Sequence, residues 1–189
     1  MNFNPYSPTT LFAIYCVSEF LVVRFKFSGK YSETKDRGSL YLLMFIFVAS
    51  LGLARFVKIH FPQADLESLT HIALPGVLLF FAGLIIRWAS IIHLGRFFTI
   101  DVAIDAKHTL IDTGPYRYVR HPSYTGLLLQ FLGIGICSAN ILALLALMVP
   151  IFIALRYRIG VEEAALSEGL GAAYAEYMRK TKRLFPFVY

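Results

Sequence analysis

Cysteine and charge are both scarce in this chain. Only two of its 189 residues are cysteine. Cys16 and Cys137 stand far apart, inside apolar runs and without CxxC spacing, which supports neither a zinc site nor a disulfide framework. They read as two buried thiols. Charged side chains make up 16% of the chain against 57% hydrophobic ones, well off the balance of a soluble domain. The composition is that of a membrane protein. No GxSxG, HExxH or P-loop occurs, so hydrolysis at a serine or zinc centre is unsupported. The GxG in "GIGIC" lies inside an apolar segment rather than between a strand and a helix, so a soluble Rossmann domain is not indicated. Internal repeats and low-complexity tracts are also missing.

What is present is a series of apolar runs. Five stretches are long and apolar enough to span a bilayer, which takes roughly 20 residues of helix: about Thr9 to Val23, Leu40 to Val57, Ile72 to Leu94, Pro122 to Ser138 and Ile141 to Tyr157. The first is short and carries Glu19, and the fourth is near the lower limit. The N-terminus lacks the basic start and the small-residue cleavage site of a signal peptide. The net charge of +6 comes from cations clustered beside apolar segments, which fits juxtamembrane anchoring better than nucleic-acid binding. Arg24, Lys26, Lys30, Lys35 and Arg37 follow the first run, whereas Lys58 is the one full cation in the next link. Counting cations on short loops predicts an outside N-terminus and a cytoplasmic C-terminus, in a multi-pass membrane protein.

Both long polar segments, Gly95 to His121 and Arg158 to Tyr189, then fall on the cytoplasmic side. The fourth and fifth runs between them are joined by about three residues, Ser138 to Asn140, so they form a tight antiparallel hairpin. Its two cytoplasmic ends become neighbours. At one end "YVRHPSYTG" puts Pro122 in the first turn of a helix, with Arg117, Arg120 and His121 closing the loop before it. Free N–H groups, a positive dipole end and cationic side chains there make a site for an anion. Tyr124 lies within the first turn, and Tyr116 and Tyr118 flank the approach. At the other end Arg158, Glu162 and Glu163 add two carboxylates, which repel unless a cation is near. A zwitterionic ligand satisfies both patches. The plainer reading gives the arginines to lipid phosphates and the glutamates to surface ion pairs.

Arg87 falls deep in the third apolar run. A cation there costs on the order of 2.5 to 3.5 kcal/mol, so it faces a partner or a wet cavity. Two readings stand: with His93 and Arg96 it lines a path from bilayer to site, or it forms a structural ion pair, with Glu19 as a candidate. Gly126, Gly133 and Gly135 are small residues of the kind that let membrane helices approach closely. Trp88 reads as an interfacial or packing aromatic. His60, His71 and His108 have no metal-ligand spacing and read as solvated. After Gly160, Leu166, Leu170, Tyr174 and Tyr177 recur at helical spacing, with a break at "EGLG". The tail is either an amphipathic anchor or a cap over a pocket.

With these residues in hand, the chain resembles the isoprenylcysteine carboxyl methyltransferase family, within the wider group of membrane phospholipid methyltransferases. The resemblance rests on "RWASIIHLGRFFT" (Arg87 to Thr99), "LIDTGPYRYVRHPSYTG" (Leu110 to Gly126), "RIGVEEAAL" (Arg158 to Leu166) and "YAEYMRKTKRLFP" (Tyr174 to Pro186), in family order over about the C-terminal half. It implies one all-α membrane domain of about five transmembrane helices, with variable N-terminal helices over 1–72 and a cofactor-binding core over 73–189. It also implies S-adenosylmethionine as methyl donor, a cytoplasmic cofactor pocket under the C-terminal helical segment, a lipid-linked isoprenyl substrate taken from the bilayer, and no part for metal or nucleic acid. The cofactor-binding set carried over is Tyr116, Arg120, His121, Pro122, Tyr124, Gly126, Arg158, Glu162 and Glu163. Arg87, Arg96 and Glu163 are the candidates for catalysis, with Arg87 or Arg96 orienting a substrate carboxylate.

Two other enzyme classes stay open on the sequence. A phospholipid amine acceptor needs a base to remove its proton, and Glu162 or Glu163 is available for it. A sterol-type membrane reductase binding NADPH asks for more cations and fewer glutamates, which the EE pair disfavours. A membrane scaffold predicts no cofactor binding at all.

Overall fold

The computed structural model describes residues 7–26, 38–66, 73–98 and 110–186. Within them the protein is all-helical. Six α-helices follow in order: α1 Pro8–Lys26, α2 Gly38–His60, α3 Ala73–Leu94, α4 Pro122–Cys137, α5 Ile141–Leu170 and α6 Ala172–Lys180. Short 3-10 turns at Pro62–Ala64, Gly95–Phe97 and Gly114–Arg117 join them. Most of the basic link after α1 (27–37), together with His71 and His108, lies outside the described residues. His60 is exposed.

Three helices are long and apolar enough to cross a membrane, in α2, α3 and α5, and α4 is a shorter apolar helix. The fifth apolar run, Ile141 to Tyr157, and the helical stretch expected after Gly160 belong to one helix. Helix α5 continues without interruption for 30 residues to Leu170, carrying Arg158, Glu162 and Glu163 on its last turns. Nothing after Tyr157 stops it, because Gly160 meets no neighbour and the run is otherwise rich in alanine, leucine and glutamate, all strong helix formers. The break comes at the "EGLG" stretch, where Gly171 takes φ +55°. L-residues with a Cβ rarely adopt that conformation.

Helix α4 is the centre of the bundle. Leu127, Leu128, Phe131 and Ile134 are buried against Leu11 and Tyr15 of α1, Phe80 of α3, and Leu147, Ile151 and Leu155 of α5. At 16 residues it is shorter than α2, α3 and α5, and these contacts enclose it. The outward faces are apolar instead: Phe45 and Val48 of α2, Ile85 and Ile92 of α3 and Ile153 of α5 are exposed, the surface that lipid tails cover.

Contact between α3 and α4 is the most extensive in the molecule, and glycine makes it possible. A Cβ at Gly83 would lie 2.4 Å from the Gly126 carbonyl oxygen, and one at Gly126 would lie 2.5 Å from that of Gly83. Gly76 and Gly133 repeat the arrangement two turns away. Backbones meet directly, as small residues allow in membranes.

The hairpin turn is as short as the sequence predicts. Ser138, Ala139 and Asn140 separate α4 from α5. Asn140 caps α5, its Oδ1 accepting from the Ala143 N–H at 2.8 Å, while its Nδ2 donates to Asp65 (2.6 Å) and to the Phe61 carbonyl (3.0 Å). Lys58 completes the latch with a 2.7 Å ion pair to Asp65. The two hairpin arms are thereby pinned at one end, which brings their charged ends together at the other.

Candidate functional site

The loop into α4 turns at Gly114–Arg117. Gly114 has φ +57°, which favours glycine, and a Cβ there would stand 2.6 Å from the His93 ring, so the ring would have to shift. His93 is exposed and holds the loop through Thr113, with 2.9 Å between Nε2 and Oγ1. Tyr116 is buried; its hydroxyl donates to the Ser90 carbonyl at 3.4 Å. Its own carbonyl accepts from the Tyr177 hydroxyl of α6 at 2.6 Å. Burial pushes the hydroxyls of Tyr116, Tyr174 and Tyr177 above their ordinary pKa, so all three keep their protons at neutral pH.

From Val119 onward this loop runs beside the C-terminal strap, residues 181–184. Val119 bridges Lys182 in parallel, the Arg120 N–H donates to the Lys182 carbonyl at 2.8 Å and the His121 N–H to that of Arg183 at 2.9 Å. The Thr125 hydroxyl donates to the Leu184 carbonyl at 2.6 Å. Arg120 adds donations to the Met178 and Thr181 carbonyls at the end of α6, where a cation also suits the helix dipole. The tail is thus fastened over the mouth of α4.

Pro122 opens α4 as the sequence predicts, with His121 as its N-cap residue. Opposite stand the two carboxylates of α5. Glu163 receives Arg120 Nε on Oε1 (2.8 Å) and Arg183 on Oε2, through Nε at 2.9 Å and Nη2 at 2.7 Å. The His121 ring lies between the carboxylates, Nε2 at 3.3 Å from Glu163 Oε1 and Nδ1 at 3.6 Å from Glu162 Oε2. Glu162 accepts from the Tyr124 hydroxyl and from Arg158 Nε, the latter at 2.9 Å. Arg158 is 1% exposed and also donates to the Ser39 hydroxyl at the start of α2, at 2.5 Å. Residues from both arms of the hairpin, about forty positions apart in sequence, join Arg183 of the strap in one cluster of three arginines, a histidine and two glutamates.

The other predicted residues are placed as follows. Gly126 faces α3, within 2.7 Å of the Arg87 N–H by the position of its missing Cβ, and serves helix packing there. Arg117 and Tyr118 are exposed. Arg96 belongs to the turn Gly95–Phe97, and its side chain lies outside the described residues. Arg87 is buried and paired: Nε and Nη2 each reach a Glu19 oxygen at 2.6 Å, and Nη1 donates to the Ser123 hydroxyl at 2.9 Å. The ion pair with Glu19 is therefore the arrangement present. Trp88, beside it, donates to the Ser18 hydroxyl at 2.8 Å, a second tie between α1 and α3. Sequence reasoning missed Arg183, Ser39 and Tyr177. Only Arg183 and Tyr177 carried a signal, as members of the "YAEYMRKTKRLFP" segment.

The fold and this cluster define an all-helical membrane protein with a mixed-charge site at one end of a helical hairpin. The model of the isoprenylcysteine carboxyl methyltransferase family matches residues 76–168, which contain both arms of that hairpin. The chain is 36% identical over 115 residues to protein-S-isoprenylcysteine O-methyltransferase A of Arabidopsis thaliana, covering 60% of this chain and 58% of that one. It is 27% identical over 126 residues to the human protein-S-isoprenylcysteine O-methyltransferase, covering 66% and 44%. A solved structure of a eukaryotic intramembrane Ras methyltransferase superposes with a TM-score of 0.71 at 24% identity, over 96% of this chain and 65% of that one; this likeness is one of fold. Over the part of the chain that holds this hairpin, it is similar to the isoprenylcysteine carboxyl methyltransferase family. It spans about half to two thirds of the length of the curated relatives it matches.

Proposed function

We propose that this protein transfers the methyl group of S-adenosylmethionine to the C-terminal carboxylate of an isoprenylated cysteine. One observation carries the reading: Arg120 and His121 before α4 meet Glu162 and Glu163 of α5 in a single cluster. Such a donor set fits a ligand that bears both a carboxylate and an ammonium. Arg120 and Arg158 suit the carboxylate, and Glu162 with the Tyr124 hydroxyl suits the ammonium or ribose hydroxyls. When bound, the sulfonium supplies an electrophilic methyl group. Glu163, with both oxygens engaged by cations, acts by positioning Arg120 and His121 rather than by touching a reactant.

An isoprenylcysteine carboxylate is ionised at neutral pH, so the acceptor needs no general base. The residues' task is to align the acceptor and exclude water. An ammonium acceptor would instead need a group to take its proton. Both carboxylates of the cluster already have arginine partners, so neither is set aside for that work, and the carboxylate acceptor is favoured. The names of the curated relatives point the same way. Arg87, which reaches Ser123 next to Tyr124, orients the acceptor carboxylate, with Arg96 as the alternative, while the isoprenyl chain enters between helices from the bilayer. In this reading α1 and α4 span the membrane along with α2, α3 and α5, the N-terminus lies outside, and the site opens to the cytoplasm.

The test is a thermal-shift series on detergent-solubilised protein with S-adenosylhomocysteine and with NADPH, since a ligand selective for the folded state raises its apparent stability. A shift with S-adenosylhomocysteine alone is expected, at ligand 100 times its Kd worth about 2.7 kcal/mol. Stabilisation by NADPH alone would replace the reading with a reductase. Radiolabelled methyl transfer should then favour a farnesylcysteine analogue over phosphatidylethanolamine, and the reverse preference would assign an amine acceptor.

A further inference from the structure

Tyr174 stands in the first turn of α6, after the Gly171 break. It is 2% exposed and packs at a tilt on Tyr177, ring centroids 5.9 Å apart. Its hydroxyl is buried and has no hydrogen-bond partner among the described residues. A phenylalanine would fill the same space without burying a polar group, and a buried hydroxyl without a partner is unfavourable. The groups within electrostatic reach of this hydroxyl are Glu163, Arg120, Tyr177 and Glu162. Three of them, Glu163, Arg120 and Glu162, belong to the charged cluster. Gln130 Oε1 is the other such atom among the described residues, and it belongs to the middle of α4, whose neighbours on the helix are apolar.

We propose that the Tyr174 hydroxyl is a cofactor-binding group, donating a hydrogen bond to the amino-acid carboxylate of the S-adenosyl ligand beside Arg120. This rests on the cofactor reading above. It makes α6 a contributor to the site and not merely its cover. The proton is available because the phenol is un-ionised, and the acceptor on the ligand is the group that Arg120 draws.

Tyr174→Phe tests the assignment with two readouts that need no turnover. Isothermal titration with S-adenosylhomocysteine should give a Kd about tenfold weaker than the parent's, the ~1.4 kcal/mol of one hydrogen bond to a charged group. Without ligand, the variant should melt at the parent's temperature or above it, because an unfavourable burial is removed. Equal Kd values for parent and variant would overturn the proposal while leaving the cofactor reading intact. A lower melting temperature in the absence of ligand would also overturn it, by giving the hydroxyl a structural partner. Failure of the parent itself to bind S-adenosylhomocysteine would reject the cofactor reading and this assignment with it.

Discussion

Glu163→Gln is expected to lower the stability of the folded protein by about 3 kcal/mol or more, in the range found when one partner of a buried ion pair is removed. Glu163 is the hub on which the loop before α4 and the C-terminal strap converge. Arg120, at 9% side-chain exposure, and His121, at 7%, lose their shared acceptor charge. Arg183 is about a third exposed, so its share is screened by water and adds little. Glutamine keeps the shape but turns an NH2 group either toward Arg183 or toward Arg120 and His121, so the contacts of only one of the two oxygens survive. The consequence is local before it is global. Amide hydrogen exchange at Arg120 and His121, whose N–H groups donate to the Lys182 and Arg183 carbonyls, should speed up toward the rate of an open loop. If both amides stay as protected as in the parent, the strap is held by its backbone alone and Glu163 is not its anchor.

Breaking the Arg87–Glu19 pair should be comparably severe. Arg87 lies on α3 with 9% side-chain exposure and Glu19 on α1 with 24%, in two strongly apolar helices. Removing either side chain leaves the other charged group without its partner, at about 3 to 5 kcal/mol when the site is dry. Removing both leaves no orphan. Arg87→Met and Glu19→Gln are therefore each expected to be strongly destabilising, and the double variant no worse than one of them alone. Thermal unfolding in detergent measures this cycle. Additive losses would deny the coupling. Turnover separates structure from chemistry: if Arg87 orients the acceptor, the double variant regains stability but not activity, and its affinity for S-adenosylhomocysteine stays near that of the parent. Activity that returns along with stability would make the pair purely structural.

These two ion pairs also mark where sequence reading ends. Pro122, the three-residue turn and the glycine of "EGLG" act through backbone geometry within a few residues, so the start of α4, the hairpin and the start of α6 are legible from the chain alone. Neighbourhood of the hairpin's far ends follows from the short turn, and with it the meeting of His121 and Glu163. Partners set by tertiary packing are not legible in the same way. Glu19 lies 68 positions from Arg87 and stood only as one of two options for it. Ser39 lies 119 positions from Arg158, with nothing in either segment to announce the bond. Gly126 was legible as a small residue and as part of a motif, and its position against Gly83 follows the first of these. That Ile141 to Tyr157 and the stretch after Gly160 join in one helix is not legible in the sequence, because polarity ends a membrane span but does not end a helix.

All of this leans on the two arms of one hairpin sharing a single ligand. A structure of the protein with S-adenosylhomocysteine bound tests that most directly. The account predicts a ligand within hydrogen-bonding distance of the α4 entry, at Arg120, His121 or Tyr124, and of Glu162 on α5 at the same time. A ligand seated elsewhere, or touching only one of the two arms, would contradict it.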